Sequence, residues 1–361
     1  MSSDLANFYS RTRKARKIIV VDLGFLGDTV HLVPALWELK GNYPRAALHV
    51  LTSTVGEDVL RLTPWVDRVW GLEMYPEKRT IAQQWRTLKA LRRERFEIGF
   101  NFSAADRALF FTALSGARLR LACRGGRRHF YDRLLAQQWA PKPNPDLIVF
   151  EQRRHILAEC GLQLGPPRFV LKVDAATEKW AADIVPSFAI HISPNSAKAT
   201  REWPLEHHVA LLQVLWAEYP ELHVIISGGA REREQERLRA LENRLKNTHL
   251  HVLPANLLIP QLAGVLKRCR LHIGPDSGVL HLAMALDLAT ISFFRQQGTY
   301  KSFMPSGPNH RVISMPCHCV DHHEAPCERV GQAECFAQIQ PNRVAELVRE
   351  QLKAFSIASR E

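Results

Sequence analysis

The feature that most constrains the fold is an alternation of short apolar segments with helical patterns. The first apolar segment, Lys17–Leu23, is rich in β-branched residues and leads through a glycine turn into a helical pattern from Asp28 to Lys40. Continuous apolar runs of this length are typical of strands buried on both faces of a parallel sheet. Further strands are predicted at Ala47–Thr52, Arg68–Leu72, Glu97–Phe102 and Phe169–Val173, with a helix at Thr80–Arg95. Strands that alternate with helices indicate βαβ units.

The alternation restarts near residue 188, after a connecting segment at Ala175–Pro186. Predicted strands are Phe188–Ser193, Leu222–Ser227, His249–Leu253, Leu271–Gly274 and Ala289–Phe294, and predicted helices are Leu205–Tyr219, Glu232–Lys246, Ile259–Lys267, Val279–Leu286 and Pro341–Phe355. A chain of 361 residues is long enough for two domains of ordinary size. We therefore expect an α/β protein with two parallel-sheet domains, residues 1–174 and 175–361, that face a central cleft.

Composition and charge restrict the location and the partners. No segment approaches the roughly 18 uncharged apolar residues that span a bilayer, and residues 1–17 lack the apolar core of a secretory signal. We therefore expect a soluble, cytoplasmic protein. The net charge of +12 indicates anionic partners such as a phosphorylated substrate or an acidic membrane surface. No aromatic-rich RNA motif, zinc finger or basic zipper accompanies the basic clusters, so we expect no nucleic acid.

The first candidate site is the loop from Asp22 to Asp28, which follows the first predicted strand. It is not the dinucleotide fingerprint G-x-G-x-x-G, because the first glycine is missing. Glycines at positions 24 and 27 allow a tight turn and a close approach of the backbone to a ligand. Asp28 falls at the helix start, where a carboxylate is either a helix cap or a general base that takes a proton from an attacking hydroxyl.

Two loops of the second half have the chemistry of anion binding. The segment Gly274–His281 follows a buried strand and opens an apolar helix, so its backbone N–H groups and the helix dipole suit a diphosphate. His281 lies one turn into this helix and can face the same anion. The segment His191–Pro204 ends a strand in a polar loop, in which Arg201 can clamp a phosphate. A simple helix cap, a buried histidine and a surface arginine are the alternatives.

Taken in this order, the three loops resemble those of the bacterial lipopolysaccharide heptosyltransferases, glycosyltransferase family nine, from Lys17 to about Val344. The family's Gly-Asp matches Gly27-Asp28, and its Lys-x-Trp-Pro element is similar to Arg201–Pro204. The most specific match is its Asp-(Ser/Thr)-Gly-x-x-His element, which is similar to Asp276–His281. The resemblance implies the GT-B fold, in which an N-terminal Rossmann-like domain binds the acceptor and a C-terminal one binds a nucleotide sugar.

The resemblance also implies an activity: inverting transfer of heptose from ADP-heptose to a lipopolysaccharide core precursor, with Asp28 as the base and no required cofactor. A transferase of the same fold that uses another nucleotide sugar, or a protein acceptor such as an autotransporter, is the alternative. A non-enzymatic protein that binds nucleotide sugars is a further one, and the intact Asp28 with the complete diphosphate loop argues against it. The implied donor residues are Ser193, Asn195, Arg201, Glu232, Glu234, Asp276, Ser277, Gly278 and His281, where Glu232 and Glu234 compete for the ribose.

The acceptor would lie on the first domain and would be an anionic glycolipid. The candidate residues that hold it are Gly27, Arg120, Arg124, Arg127 and Arg128. Such a basic surface would also favour peripheral contact with the acidic inner face of the plasma membrane.

Four cysteines crowd together near the C-terminus at Cys317, Cys319, Cys327 and Cys335, with three histidines among them. Zinc or iron binding is chemically feasible for such a set. The spacing lacks the paired C-x₂-C knuckles of common zinc sites, so free thiols are the alternative.

Overall fold

The computed structural model describes residues 3–74, 80–103, 105–123, 132–296, 300–317, 327 and 333–358. The chain divides into two units, Met1–Lys172 and Val173–Glu361. Each contains one six-stranded parallel sheet with helices, which confirms the α/β class predicted from the alternation. Among the described residues, no helix combines the length and the apolar character needed to cross a bilayer.

The first unit has its strands in the order β3-β2-β1-β4-β5-β6, all parallel. The strands are Lys17–Val21 (β1), Ala47–Ser53 (β2), Arg68–Leu72 (β3), Ile98–Asn101 (β4), Leu119–Ala122 (β5) and Gln138–Trp139 (β6). The helices are Ser3–Ala6 (α1), Phe8–Thr12 (α2), Leu26–Asn42 (α3), Thr54–Leu60 (α4), Ile81–Glu94 (α5), Asp106–Leu114 (α6), Asp132–Leu135 (α7) and Val149–Glu159 (α8).

The apolar run of β1 is continuous because both faces of this strand are covered. Ile18 and Val20 belong to one buried cluster together with side chains of α3 and α8. Ile19 and Val21 point the other way, into a second cluster built from α5 and α6. Since successive side chains of a strand alternate between faces, helices on both sides of the sheet require apolar residues at every position.

The second unit repeats the strand order of the first. Its sheet runs β9-β8-β7-β10-β11-β12, again all parallel. The strands are Ala189–Ile192 (β7), His223–Ile226 (β8), Leu250–Val252 (β9), His272–Pro275 (β10), Thr290–Gln296 (β11) and His310–Pro316 (β12). The α-helices are Ala175–Ile184 (α9), Leu205–Glu218 (α10), Glu232–Leu245 (α11), Ile259–Arg268 (α12), Gly278–Ala285 (α13), Glu334–Ala337 (α14) and Pro341–Ala358 (α15), and short 3₁₀ turns cover Ala199–Arg201 and Tyr300–Phe303.

One predicted strand is wrong. Residues 169–173 form no strand, and the sheet of the first unit instead ends at β6. The apolar side chains of this segment are used in other contacts: the Phe169 ring meets that of Phe150 edge-on, and the Val170 carbonyl accepts from Trp65 Nε1 at 2.9 Å. Only Val173 of this segment is buried, whereas Phe169, Val170 and Leu171 are half-buried. An apolar run does not say which backbone pairs with which, so it did not exclude this outcome.

The strand order fixes where a ligand can bind in each unit. In open parallel sheets ligands lie at the carboxyl ends of the strands, where the order reverses direction. In the first unit that point lies between β1 and β4, and in the second unit it lies between β7 and β10. The loop to Asp28 follows β1, and the two predicted donor loops follow β7 and β10.

Three histidines of the second unit are completely buried. His191 and His272 contact each other through their Nδ1 atoms at 2.9 Å, and His191 Nε2 lies 3.0 Å from Ser227 Oγ. His208 lies against Trp203 with both ring nitrogens without a partner in the described part of the chain. Burial, which penalises the charged imidazolium, lowers the pKa of His191 to about 3 and lowers the pKa of the other two well below the usual value.

We expect acid to destabilise the second unit. A histidine whose folded pKa is depressed binds its proton only when the chain unfolds, so its contribution is complete above about pH 6.5 and is lost as the pH falls. The loss is about 1.4 kcal/mol per pH unit for each such histidine. Denaturant midpoints measured between about pH 7 and pH 5 test this. His208→Leu should flatten the dependence, while the exposed His155→Ala should not change it; equal slopes in all three proteins would contradict the assignment.

Candidate functional site

The loop Asp22–Asp28 is organised around the carboxylate of Asp28. Asp28 is the third residue of α3, and its Oδ2 accepts the backbone N–H of Phe25, the residue before the helix, at 3.0 Å. The carboxylate therefore serves as a helix-start acceptor, one of the two predicted roles, and its place at the carboxyl end of β1 leaves the other role open. A Cβ at position 24 would lie 2.4 Å from Asp28 Cβ, so only glycine allows this approach.

A buried arginine that was not predicted from the sequence holds this loop in place. Arg153 of α8 donates from Nη1 to the Asp28 carbonyl at 2.5 Å and from Nη2 to Asp22 Oδ2 at 2.6 Å. The side chains are 7% and 1% exposed for Arg153 and Asp22. Asp22 Oδ1 in turn accepts the N–H of Gly24 at 3.0 Å. One guanidinium thus fixes both ends of the loop that presents Asp28.

Asn101 is a second residue that the pattern did not reveal. It ends β4, pairs in register with Val21 of β1, and is fully buried at the point where the strand order reverses. Its Oδ1 accepts from the Ser103 N–H at 2.8 Å, while Nδ2 has no partner among the described residues. Because a buried unpaired donor costs roughly 1–3 kcal/mol, Asn101 is a candidate ligand-binding residue at this edge of the sheet.

In the second unit, Asp276 connects two predicted donor residues. Its Oδ2 lies 3.4 Å from Arg201 Nη1, and its Oδ1 lies 3.4 Å from His281 Nε2. Ser277 is the residue before α13, with its hydroxyl accepting the Leu280 N–H, and Gly278 is the first residue of the helix. The structure therefore brings Arg201, His281 and the start of α13 together around one carboxylate.

The loop after β7 is held by a network of charges. Glu202 is buried; it accepts the Ser196 N–H at 2.8 Å and both of its carboxylate oxygens contact Arg233 Nη1 at 2.7 Å. Asn195 donates from Nδ2 to the Glu234 carbonyl at 3.4 Å, and its buried Oδ1 lacks a partner within the described residues. Ser193 is buried at the end of β7. These contacts hold Asn195 at the carboxyl edge of the second sheet, where Ser193 also lies.

The structure distinguishes the two glutamates that the sequence left open. Glu234 has a side chain that is 12% exposed, and its Oε2 accepts the Gly229 N–H at 2.7 Å in the turn after β8. Glu232 is 75% exposed and contacts Arg239 at 2.6 Å on the surface of α11. Only Glu234 lies beside Asn195, so it is the one that joins the other donor candidates.

The predicted acceptor residues are only partly described. Gly27 is buried in the first turn of α3. Arg120 donates to three backbone carbonyls, those of Ala117, Leu134 and Leu135, at 2.9 to 3.0 Å, and burial lowers its pKa. Its guanidinium thereby closes the end of α7, and acceptor contact by Arg120 stays a prediction. Arg124, Arg127 and Arg128 lie outside the described residues.

Three of the four clustered cysteines are described and buried in the core of the second unit. They are Cys317, Cys327 and Cys335. Burial, with the two other cysteines nearby, raises the pKa of Cys335 to about 11. Cys319 and the neighbouring histidines lie outside the described residues, and within the described part of the chain no three ligands are grouped for a metal. Metal binding by this segment stays a prediction.

Comparisons with known proteins identify sequences and structures that are similar to this chain. The sequence profile of glycosyltransferase family 9 (heptosyltransferase) matches residues 84–330. The chain is 21% identical over 298 residues to the lipopolysaccharide core heptosyltransferase OpsX of Haemophilus influenzae, covering 78% of this chain and 80% of that protein.

Two solved structures have the same fold. The Escherichia coli ADP-heptose lps heptosyltransferase II matches with a TM-score of 0.74 and 19% identity over 94% of this chain and 99% of that one. The E. coli heptosyltransferase WaaC with ADP matches with a TM-score of 0.67 and 17% identity over 93% and 98%. The fold is therefore that of GT-B heptosyltransferase structures, and because the family profile covers more than half of its residues, the chain belongs to glycosyltransferase family 9, the heptosyltransferase family.

Proposed function

We propose that this glycosyltransferase moves heptose from ADP-heptose to a lipopolysaccharide core precursor with inversion at the anomeric carbon. The observation that carries the proposal is the grouping of Arg201 and His281 around Asp276 at the start of α13. An arginine and a histidine beside the N–H groups of a helix start suit a diphosphate. The similar E. coli structure with ADP and the similar ADP-heptose enzyme support the choice of donor.

The second unit would bind the donor through its phosphates and its ribose. The diphosphate would contact the N–H groups at Ser277 and Gly278, and Arg201 and His281 would donate hydrogen bonds to its oxygens. Glu234, held beside Asn195 by the Gly229 N–H, would accept from the ribose hydroxyls. Ser193 and Asn195 would complete the pocket edge after β7. No divalent cation is needed in this scheme, because protein groups carry the positive charge.

The chemical step would use Asp28 as the base. The acceptor hydroxyl attacks the anomeric carbon from the face opposite the phosphate, and its proton passes to the Asp28 carboxylate. The bond from the anomeric carbon to the β-phosphate oxygen breaks, and ADP leaves with the electron pair. Arg201, His281 and the start of α13 stabilise the charge that develops on this leaving group.

The acceptor would be anionic and would meet the first unit. Residues 1–172 contain 28 Lys and Arg against 16 Asp and Glu, whereas residues 173–361 contain 20 of each, so the whole net charge of +12 lies in the first unit. Such an imbalance favours a phosphate-bearing acceptor there. Gly27, Arg120, Arg124, Arg127 and Arg128 are proposed as its ligands, in a cytoplasmic enzyme that contacts the inner membrane peripherally.

We expect His281→Ala to weaken ADP binding by about ten- to a hundredfold, since a charge-assisted contact contributes roughly 1.5–3 kcal/mol. Ser277→Ala should cost less because the backbone N–H groups remain. Gly278→Val should cost most, because a side chain would block the approach of the diphosphate to the helix. Calorimetry with ADP measures each, with the exposed His155→Ala as the matched control. Unchanged ADP affinity in both His281→Ala and Gly278→Val would show that this loop does not bind the donor.

We also expect transfer to continue in the presence of EDTA. A helix start and Arg201 would hold the diphosphate without a bridging cation. Turnover measured after chelation, with and without added metal, tests this. Loss of activity that magnesium or manganese restores would refute the metal-independent mechanism. Loss restored only by zinc or iron would assign a metal to the cysteine segment 317–335.

A further inference from the structure

The exposed apolar side chains are distributed as unevenly as the charge. Of the seven large apolar side chains that are exposed among the described residues, five lie in the first unit. Three of these five are on two neighbouring helices: Ile81 and Trp85 of α5, 79% and 64% exposed, and Phe110 of α6, 52% exposed. Large apolar groups that remain in water on a strongly basic unit mark an interaction surface rather than a core.

The outer face of α5 combines these apolar groups with cations. Leu88 and Leu91 point inward and are buried. Ile81, Trp85, Lys89 and Arg92 are all exposed and are spaced by four, four and three residues, so they line one stripe of the helix, which borders its buried side at Leu88. Arg86 and Arg93 are exposed next to it. Within the described residues, none of the four cations of α5 forms an ion pair with a carboxylate; these are Arg86, Lys89, Arg92 and Arg93.

The helices that carry this surface are well fixed. Thr80 and Gln83 close the start of α5 by two reciprocal hydrogen bonds of 3.2 Å. Arg107 of α6 reaches Gln84 of α5 at 3.3 Å, so the first turns of the two helices are neighbours. Both helices begin at the carboxyl ends of their strands, the edge of the sheet that also presents Asp28.

We propose that Ile81, Trp85 and Phe110, with the cations Arg86, Lys89, Arg92 and Arg93, form a surface that docks on an anionic lipid bilayer. An exposed tryptophan and aliphatic groups beside unpaired cations are the composition that inserts into the headgroup region of such a bilayer. A second copy of the chain is disfavoured as occupant, because a two-fold interface would place the same cations opposite each other. The inference rests on the proposed function, since a lipid-linked acceptor is presented at a bilayer.

Flotation with vesicles of phosphatidylglycerol and phosphatidylcholine, and with phosphatidylcholine alone, tests the surface. The full chain should bind the anionic vesicles only, and binding should weaken as salt is raised. Because each cation near an anionic surface raises partitioning about fivefold, R86Q/K89Q/R92Q/R93Q should lower it roughly a hundredfold or more. I81S/W85S should lower it by about tenfold at every salt concentration. The matched control is Leu258→Ser, an exposed apolar residue of the neutral second unit, which should bind like the parent.

All variants should keep the ADP affinity and the circular dichroism of the parent, which shows that they fold. The proposal is overturned if the parent does not bind anionic vesicles, or if both surface variants bind them as strongly as the parent does. Transfer of heptose to a soluble acceptor that lacks its lipid tests the proposed function separately from vesicle binding. Absent transfer with intact vesicle binding would refute the heptosyl transfer and leave the docking surface standing.

Discussion

Replacing Asp28 with asparagine should lower turnover by about 10²–10⁴-fold while the affinity for ADP stays unchanged. Positioned bases contribute this much to proton transfer, and an amide cannot accept the acceptor's proton at neutral pH. The substitution is mild for the fold, because the asparagine oxygen can still accept the Phe25 N–H that Asp28 now binds. Initial rates at saturating donor and acceptor measure the change.

The matched control is Asp106→Asn, which alters an exposed aspartate in the first turn of α6. It should leave turnover at the parent level. A folded Asp28→Asn enzyme with the parent's turnover would show that the carboxylate only starts the helix. A variant that loses ADP affinity together with turnover would instead indicate a disturbed structure rather than a lost base.

Replacing Arg153 with methionine should lower the free energy of unfolding of the first unit by about 3–5 kcal/mol. The change leaves the Asp22 carboxylate, which is 1% exposed, buried without its cation, and breaking one side of a buried pair costs this much. It also removes the donor to the Asp28 carbonyl, so the loop at the end of β1 should loosen. Denaturant unfolding followed by circular dichroism measures the loss.

Two further variants identify the cause. Arg153→Met combined with Asp22→Leu should recover most of the stability, because apolar replacement of a whole buried pair is often neutral. Lys17→Met removes the half-exposed contact with Glu94 and should cost about 1 kcal/mol or less. If the double variant is no more stable than Arg153→Met alone, the unpaired Asp22 is not the reason for the loss.

The sequence predicted the parts of the structure that depend on neighbouring residues. The strand Arg68–Leu72 has the predicted bounds, and α5 differs from its prediction by one residue at each end, because Thr80 and Gln83 form the capping pair that starts this helix. The loop Gly274–His281 was predictable for the same reason. Gly278 begins a helix directly after a buried strand, a purely local arrangement.

Long-range contacts could not be read from the sequence. Arg153 lies 131 residues from Asp22, and in the sequence it is one of many basic residues on a helix. Glu232 and Glu234 have the same side chain and lie two positions apart in the sequence. Only the fold of the turn after β8 distinguishes them. The strand β12 was missed because its side chains are only half-buried and its run lacks a clear apolar period.

Each buried cluster described above draws its side chains from one unit alone. We therefore expect an unfolding experiment on this chain to show two transitions, one for each unit, so that a single fitted midpoint would average them. The three buried histidines belong to the unit that carries the loop Gly274–His281, whereas Arg153 belongs to the unit that carries Asp28. Mild acid should accordingly unfold the second unit first, at a pH where the first unit still gives its own, later transition.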